Sequence, residues 1–482
     1  MGVRKHSHKQ PVIPSCIPII PTLPVIGSVH HFLKDRDLLQ FTRKWASKLG
    51  PIFGISLFGT PVVVLNDPVY LQKLLGSSEP GHLTRPTTHT NAVVPKNFHF
   101  GVLPGDGELW KHQRSIVLKA FSYESLKSYI PIMNLHAERL VQDLGVQASN
   151  PGSGPITNLQ DKFYMLALRV ITHILIGKDL CVEEEGYQFV KDFHHIEETM
   201  ARFISSPWLA VPPFSWWFSK EREEVGRRIN NCKKIMQKML DEYRNDGFVS
   251  NQFRSVMNVL LEQGMENDEQ IMSECFWLTL AGNNTVGLSL LYILFNLAQN
   301  SEHQRICREE ADELFNEMES KGGKMEMDGI LKLSHMDRCI KESLRRVTVV
   351  PGSIRQLSSP LKLDENMVLS EGTIVLAFHE LVHNNPGVFP NPKKFDPDRF
   401  LPENIKERNH YAFTPFSAGR RDCLGNKLAM IELKVVVAWI LRNFEVATID
   451  NYDTVKFKYY IMQGPTKPIR FHLKERNDNK NK

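Results

Sequence analysis

The sequence has few cysteines for its length and no Cys-x-x-Cys pair. Its 482 residues hold seven cysteines, an odd number spread between Cys16 and Cys423, which argues against a disulfide framework or a zinc finger. The chain also lacks a large excess of either charge, because 59 Lys and Arg residues against 54 Asp and Glu residues leave a net charge of only +5. So small an excess, spread along the chain, argues against a nucleic-acid-binding protein.

A membrane anchor is not evident at the N-terminus. Residues 1–10 are polar and basic, and prolines at 11, 14, 18, 21 and 24 predict an extended or polyproline-like entry segment over residues 11–27. We therefore expect neither a signal peptide nor an N-terminal anchor, although a chain trimmed upstream would look the same. The longest apolar stretch, residues 278–298, contains two adjacent asparagines, so we expect a helix buried in a soluble core rather than a membrane span.

Hydrophobic spacing predicts a mainly helical chain. Apolar residues recur at three- and four-residue spacing through most of residues 67–345 and again in a last helix before a short β-like tail. Residues 52–66 read instead as a strand pair around a Gly-Thr-Pro turn. No internal repeat or Gly- or Ser-rich linker divides the chain. The sequence therefore predicts one domain over residues 28–473, mainly α with minor β sheets, flanked by the basic N-terminus (1–10), the entry segment (11–27) and a polar tail (474–482).

The strongest chemical signal lies immediately before the last helix, in the stretch Phe416-Ser-Ala-Gly419-Arg-Arg421-Asp-Cys423-Leu-Gly425. A cysteine near a helix N-terminus and beside arginines is expected to have a lowered pKa and to exist as a thiolate. Glycines on both sides let the backbone approach a flat ligand closely and offer N–H donors to the sulfur. A buried, inert cysteine in a loop is the alternative interpretation.

This stretch resembles the haem-ligand signature of the cytochrome P450 family, FxxGxRxCxG, at all five fixed positions. The resemblance implies a P450 fold in which non-covalent haem b lies between a long central helix and the cysteine loop, with Cys423 as the axial ligand of the iron. It also implies that Phe416, Gly419, Arg421 and Gly425 contact the haem. A thiolate in this position favours cleavage of the O–O bond of dioxygen.

Two further sets of residues resemble P450 motifs in the expected order along the chain. Glu342 and Arg345 match the ExxR helix, and Arg399, in Phe-Asp-Pro-Asp-Arg-Phe, matches the loop that completes a buried carboxylate–guanidinium triad. The resemblance also implies a set of groups that clamp the haem propionates, since arginine suits bidentate contact with carboxylates. These groups are Trp110, Arg114, Arg355 and Arg421.

The buried apolar helix resembles the oxygen-activating helix of the family at Ala281-Gly282-Asn283-Asn284-Thr285. The resemblance gives Gly282 the task of opening a groove for dioxygen and Thr285 that of assisting O–O cleavage. The family has an acidic residue where this sequence has Asn284, and asparagine can hold a water but cannot titrate. Proton delivery through water and the asparagines, slow turnover, or an already oxygenated substrate all remain open.

The C-terminal sequence looks most like that of the animal fatty-acid hydroxylase branch of the P450 family. The resemblance therefore implies a monooxygenase that inserts one atom of O2 into a fatty acid, steroid or foreign compound. Alternatives are an isomerase or dehydratase acting on lipid peroxides, and a non-catalytic haem- or lipid-binding protein. Some branch members attach haem through a glutamate, a position that is Ala281 here, which predicts non-covalent haem.

Partners follow from what the chain does not contain. No flavin- or nicotinamide-binding segment follows Cys423, so electrons from NADPH must come through a separate protein such as NADPH-cytochrome P450 reductase. A basic face suited to an acidic flavoprotein is predicted from Lys393, Lys394, Arg420, Lys427 and Lys434. A loop rich in proline and tryptophan, with Trp208, Phe214, Trp216 and Trp217, predicts peripheral membrane contact at the cytoplasmic face of the endoplasmic reticulum; a soluble cytoplasmic enzyme is the alternative.

Overall fold

A computed structural model describes residues 12–31, 37–77, 101–149, 154–180, 184–205, 219–245, 253–459 and 461–476. The chain divides into two compact units. The first comprises Met1–Thr87, Val350–Pro392 and Arg408–Cys423, and the second comprises Thr88–Val349, Lys393–Glu407 and Leu424–Lys482.

The described elements confirm the predicted class, mainly α with minor β sheets. In chain order they are α1 Leu38–Leu49, β1 Ile52–Leu57, β2 Thr60–Leu65, α2 Pro68–Leu75, α3 Gly107–Lys119, α4 Tyr123–Ala148, α5 Leu159–Ile176, α6 Glu184–Ser205, α7 Ser219–Asn245, α8 Val256–Glu262, α9 Asp268–Ala298, α10 Ser301–Ser320, α11 Met327–Lys332, α12 Ser334–Arg346, β3 Ser353–Gln356, β4 Leu361–Lys362, β5 Val368–Leu369, β6 Ile374–Ala377, α13 His379–His383, α14 Pro402–Lys406, α15 Asn426–Asn443, β7 Phe444–Thr448, β8 Phe457–Tyr459, β9 Gln463–Pro465 and β10 Phe471–Glu475. Short 3₁₀ turns occupy Pro397–Phe400, His410–Ala412 and Gly419–Arg421.

The first unit is organised around a four-stranded sheet of order β1-β2-β6-β3. The predicted strand pair is its edge hairpin, antiparallel with Ile52 opposite Leu65, and β2 then pairs in parallel with β6. The proline-rich segment lies along the hairpin, where the Gly54 N–H donates to the Pro18 carbonyl at 2.8 Å. Prolines cannot continue a helix but can lie extended beside a strand, which explains this arrangement.

The second unit is built on the 31-residue helix α9, and the apolar stretch of the sequence is its C-terminal part. Asn267 caps its N-terminus by accepting a hydrogen bond from the Gln270 N–H at 3.2 Å. This is the one described helix long and apolar enough to cross a membrane, but most of its apolar length is buried inside the protein. Helix α5 packs closely on α9, because glycines 282 and 287 leave room for the side chains of Ile171 and Tyr164.

Candidate active site

The cysteine loop of the first unit is a tight turn closed by its own backbone. The Cys423 N–H donates to the Phe416 carbonyl at 2.9 Å, and the Ser417 N–H donates to the Thr414 carbonyl at 3.0 Å. Ser417 and Gly419 both have positive φ angles, of 59° and 76°, so the loop bends sharply in a conformation that side chains disfavour. The thiol of Cys423 is exposed at the end of this turn.

Gly419 is required by packing as well as by its φ angle. A Cβ atom at this position would overlap the carbonyl oxygen of Leu75, the last residue of α2. The loop therefore lies directly on the backbone of α2. This contact fixes the 3₁₀ turn Gly419–Arg421, whose last residue, Arg421, is buried.

A buried histidine, which the sequence analysis did not single out, supports the loop at its base. His379 at the start of α13 hydrogen-bonds the Thr414 hydroxyl through Nδ1 at 2.8 Å and the Ser353 hydroxyl through Nε2 at 3.1 Å. Burial and the positive charge of Arg355 lower the pKa of His379 to about 3, so the ring is neutral. Arg355 is itself almost completely buried, which places two guanidinium groups, Arg355 and Arg421, inside the unit that carries the cysteine.

The central helix α9 of the second unit has an open face in its middle. Ala281 is exposed and Thr285 is partly exposed, although most of the helix on either side is buried. The Thr285 hydroxyl donates to the Ala281 carbonyl at 2.7 Å, an internal bond common for threonine within helices. The space beside Gly282 is taken by Ile171 of α5, so this glycine serves helix packing, which the sequence analysis did not anticipate.

Asn284 lies on the buried side of α9 and faces a carboxyl group from another helix. Glu197 of α6 is buried, as is Asn284, and neither of its carboxyl oxygens makes a well-formed hydrogen bond. Burial raises the pKa of Glu197 to about 8; the nearby Asn284 amide lowers the pKa somewhat, and the adjacent Glu198 raises it. Helix α6 also touches α9 at a second point, one turn from Glu197 on α6 and about two turns from Asn284 on α9, where the Phe193 and Phe276 ring centroids are 5.6 Å apart. Asn284 itself cannot titrate, but a titratable acid, Glu197, lies beside it.

Trp110 and Arg114 form a pair on one face of α3. The Trp110 ring is buried, and the Arg114 guanidinium carbon lies 5.8 Å from its ring centre, within the range of a cation–π contact. The loop before this helix is held by Glu274 of α9, which accepts the Val102 N–H at 3.1 Å. Trp110 and Arg114, which are one helical turn apart, therefore contact each other through their side chains.

Glu342, Arg345 and Arg399 are brought together by α12 and the turn Pro397–Phe400. Arg345 donates twice to the Glu342 carboxylate, with both distances 2.8 Å, and neither side chain has any exposed surface. Arg399 Nε lies 3.5 Å from Glu342 Oε1, and the Asp396 N–H donates to the same oxygen at 3.1 Å. The carboxylate thus accepts hydrogen bonds from Arg345 and a backbone amide and forms an ion pair with Arg399, which fixes the position of the loop against the helix.

The remaining predicted positions are Gly425, the five residues of the predicted basic face and the tryptophan-rich loop. Gly425 is the N-cap residue of α15, and its carbonyl accepts the Ala429 N–H at 2.8 Å. Lys393, Lys394, Arg420 and Lys427 are exposed. Lys434 does not belong to the predicted basic face: its side chain is buried and its ammonium lies 2.9 Å from Asp337 Oδ1. The tryptophan-rich loop, from residue 206 to 218, lies outside the described residues.

The residues present fit a haem group. In the first unit, the Cys423 thiol is exposed and the guanidinium groups of Arg355 and Arg421 are buried, a set of groups that suits an iron ligand and the carboxylates of a haem. In the second unit, considered by itself, the exposed part of α9 presents only a methyl group at Ala281. Bound haem supplies the activation of dioxygen that no side chain can perform.

Comparison with known proteins identifies the family. The family model for cytochrome P450 matches residues 17–469. The chain is 26 % identical to cytochrome P450 4c21 of Blattella germanica, over 96 % of this chain and 93 % of the relative. It is 28 % identical to human cytochrome P450 4X1, over 85 % and 81 % of the two chains, and 27 % identical to human cytochrome P450 4F8, over 83 % and 77 %.

The chain belongs to the cytochrome P450 family. It is a haem b-dependent monooxygenase that uses O2, acts on a lipophilic substrate and takes electrons from NADPH through a separate redox partner. The named relatives are animal enzymes of the P450 4 series, in agreement with the branch expected from the sequence.

Proposed function

We propose that Cys423 is the axial ligand through which this monooxygenase binds its haem. The observation that carries the proposal is the loop itself: its backbone closes at 2.9 Å between the Cys423 N–H and the Phe416 carbonyl and leaves the thiol exposed. Gly419 lets the loop pack directly on the backbone of α2, and Gly425 begins the helix that follows the cysteine. Two buried guanidinium groups, Arg355 and Arg421, together with the groups below, receive the haem propionates.

Trp110 and Arg114 are the propionate clamp of the second unit. Their mutual contact holds the guanidinium over the ring and reduces the number of rotamers that Arg114 can adopt. A pre-ordered arginine loses less side-chain entropy when it binds a carboxylate.

In this proposal, protons pass from Glu197 by way of a water held by Asn284 to the Thr285 hydroxyl, which delivers them to the side of the haem where dioxygen binds. The Thr285 hydroxyl stands on the open face of α9, while Asn284, the preceding residue, turns toward α6. An amide can orient a water but cannot donate a net proton, whereas a carboxyl group with a pKa of about 8 is largely protonated at neutral pH. Glu197 therefore supplies the acid that the helix lacks at position 284.

The substrate class is a fatty acid or a related lipid, supported by the branch resemblance and by the relatives of the P450 4 series. Asn284 favours a second candidate, an isomerase or dehydratase of lipid peroxides, because such a substrate already carries its oxygen and needs no proton relay. Substrate-dependent NADPH consumption with reductase separates the two: the monooxygenase requires both, and the isomerase turns over a lipid hydroperoxide with neither.

The redox partner is NADPH-cytochrome P450 reductase or a similar flavoprotein, and the enzyme works at the cytoplasmic face of the endoplasmic reticulum with peripheral membrane contact. Exposed lysines at 393, 394 and 427 support docking of an acidic protein. Lys427→Glu is expected to slow reduction of the enzyme, most strongly at low salt, whereas Lys324→Glu, an exposed lysine elsewhere, is the matched control. Equal rates for the two variants would remove Lys427 from the docking surface.

The test of the haem ligand is the carbon-monoxide difference spectrum of the reduced protein. A strongly red-shifted Soret band is expected in the wild type and in Cys16→Ala, and its loss is expected in Cys423→Ala. Cys16 is the matched control, because it is the other exposed cysteine among the described residues. A haem-loaded wild type without the band, or a Cys423→Ala variant that keeps it, would refute thiolate ligation by Cys423.

A further inference from the structure

A cluster of histidines and cysteines lies between α10 and α12, away from every residue assigned above to haem or oxygen. His303 and Cys307 are one turn apart on α10, and His335 and Cys339 are one turn apart on α12, so each pair shares one face of its helix. We call these four residues the histidine–cysteine cluster. Both cysteines are completely buried, His335 is buried, and His303 is partly exposed.

The two helices bring the four side chains into contact. His303 Nδ1 lies 3.2 Å from His335 Nε2, and the two rings are nearly parallel with their centroids 5.3 Å apart. The Cys339 sulfur lies within 4.8 Å of both nitrogens. The Cys307 thiol hydrogen-bonds Cys339, so a second sulfur lies beside the first.

These separations match those of ligand atoms around a tetrahedral metal ion. Zn–N bonds of about 2.0–2.1 Å and Zn–S bonds of about 2.3 Å place two ligand nitrogens about 3.3 Å apart and a nitrogen and a sulfur about 3.6 Å apart. The two nitrogens therefore already stand at ligand spacing, and the Cys339 sulfur, within 4.8 Å of them, must move inward by at most about 1.2 Å. Two imidazoles and two thiols are the donor set that favours zinc over the hard cations magnesium and calcium.

The groups around the cluster are compatible with a bound cation. Asp396 and Asp398 act electrostatically on His303 and so place negative charge near the cluster. Glu310 accepts the His335 and Met336 N–H groups at 2.7 and 2.8 Å and so fixes the backbone of the first turn of α12.

The guanidinium of Arg338 contacts the cluster and must move when a metal ion binds. Its guanidinium donates to His335 Nδ1 at 2.9 Å, which places the ring proton on Nε2. Metal ligation through Nε2 moves that proton to Nδ1 and releases the guanidinium. Arg338 then has the Asp398 carboxylate, 3.9 Å from its Nε, as an alternative partner.

We propose that the histidine–cysteine cluster is a structural zinc site that joins α10 to α12. Both thiols lose their protons to solvent on binding, so the two thiolates neutralise Zn²⁺ and leave no net charge in a buried place. Four protein ligands leave no position open for substrate, which makes the site structural rather than catalytic. Cys339 lies one turn before Glu342, so the ion would brace the helix that carries the Glu342–Arg345 pair.

The test measures zinc in the full-length, haem-loaded protein. The protein is treated with a chelator, incubated with Zn²⁺, freed of unbound metal and analysed for zinc and iron by mass spectrometry. About one zinc per haem iron is expected, and X-ray absorption at the zinc edge is expected to report two nitrogen and two sulfur ligands. Cys339→Ala and His335→Asn are expected to weaken zinc binding at least about tenfold. Cys275→Ala, a buried cysteine of α9, is the matched control and is expected to bind zinc as the wild type does.

The X-ray absorption spectrum is recorded on the wild type, so it does not depend on how a variant folds. The Soret band shows whether each variant is folded and haem-loaded. No retained zinc, zinc with oxygen ligands only, or equal binding by the wild type and the cluster variants would overturn the site. Loss of binding in Cys339→Ala but not in Cys307→Ala would overturn the four-ligand assignment.

Discussion

The buried glutamate of α6 yields the sharpest test of the proton pathway. Replacement of Glu197 by glutamine keeps the size and the hydrogen-bonding capacity of the side chain but removes its titration. Burial raises the pKa of Glu197 from 4.5 to about 8, a shift of about 3.5 pH units. One pKa unit corresponds to about 1.4 kcal/mol, so ionisation of Glu197 can change the free energy of unfolding by at most about 5 kcal/mol.

The direction in which the free energy of unfolding changes with pH depends on whether the folded or the unfolded chain holds the proton of Glu197 more tightly. Below the pKa of the unfolded chain, 4.5, both states are protonated and no stability is lost. As the pH rises from 4.5 to about 8 the unfolded chain releases a proton that the folded chain keeps, so the free energy of unfolding falls. Between about pH 5 and about pH 9 the wild type is expected to lose about 4 kcal/mol more than Glu197→Gln.

The assay is urea unfolding of both proteins across this pH range, followed by far-UV circular dichroism. A second measurement is NADPH-driven turnover with reductase, in which the wild type is expected to lose activity above about pH 8 as Glu197 ionises. Glu197→Gln is expected to be slow at every pH and to show no such decline. Turnover of a lipid hydroperoxide, which needs no delivered proton, is expected to be equal in the two proteins.

Glu432→Gln is the matched control, because burial in α15 raises the pKa of Glu432 to about 8 as well. This variant is expected to flatten the stability profile as Glu197→Gln does, but to leave the pH profile of turnover unchanged. Parallel stability curves for wild type and Glu197→Gln would refute the raised pKa, and equal turnover profiles would refute the role of Glu197 in proton delivery.

Two further predictions concern packing and the buried ion pair. Gly287→Ala is expected to destabilise the protein by about 1–3 kcal/mol, because the added Cβ would overlap the Tyr164 ring. Gly226→Ala, with open space around the added Cβ, is expected to stabilise α7 by up to about 1 kcal/mol. Thermal unfolding compares the two variants. Arg345→Lys is expected to cost about 3–5 kcal/mol and to reduce the yield of haem-loaded protein, because an ammonium cannot replace two parallel bonds to a buried carboxylate. Arg305→Lys, in an exposed pair, is expected to change stability by less than about 1 kcal/mol, and equal effects of the two substitutions would contradict this reasoning.

Features that depend on neighbours in the chain were predictable from the sequence. The edge hairpin, the long buried helix and the last helix follow from the period of the apolar residues, and the structure confirms each of them. The spacing of Glu342 and Arg345 places them on one helix face, and the contact at 2.8 Å follows from that spacing. The turn at Cys423 is local in its glycines and short-range backbone bonds, but its packing on Leu75 of α2 and its support by His379 are contacts between distant segments.

Features that depend on packing between distant segments were not predictable. Glu197 is one of 54 acidic residues, and nothing in its local sequence indicates that α6 will bury it against Asn284. A weak signal existed at the histidine–cysteine cluster, where His-x-x-x-Cys occurs twice, but the contact between the two copies arises only when α10 packs on α12. The prediction for Lys434 was wrong for the same reason: it was expected on an exposed basic face, but the packing of α15 buries it and pairs it with Asp337.

An acid on a neighbouring helix differs physically from an acid within α9 itself. A carboxylate at position 284 would keep its place whatever α6 does, because the backbone of α9 fixes it. Burial is the largest cause of the raised pKa of Glu197, and that burial depends on the contact of α6 with α9, including Phe193 against Phe276 at 5.6 Å. Any movement of α6 that admits water lowers the pKa of Glu197 toward 4.5 and ionises the group at neutral pH. Closure of α6 on α9 and the supply of protons to Thr285 are therefore coupled in this enzyme if Glu197 is its acid.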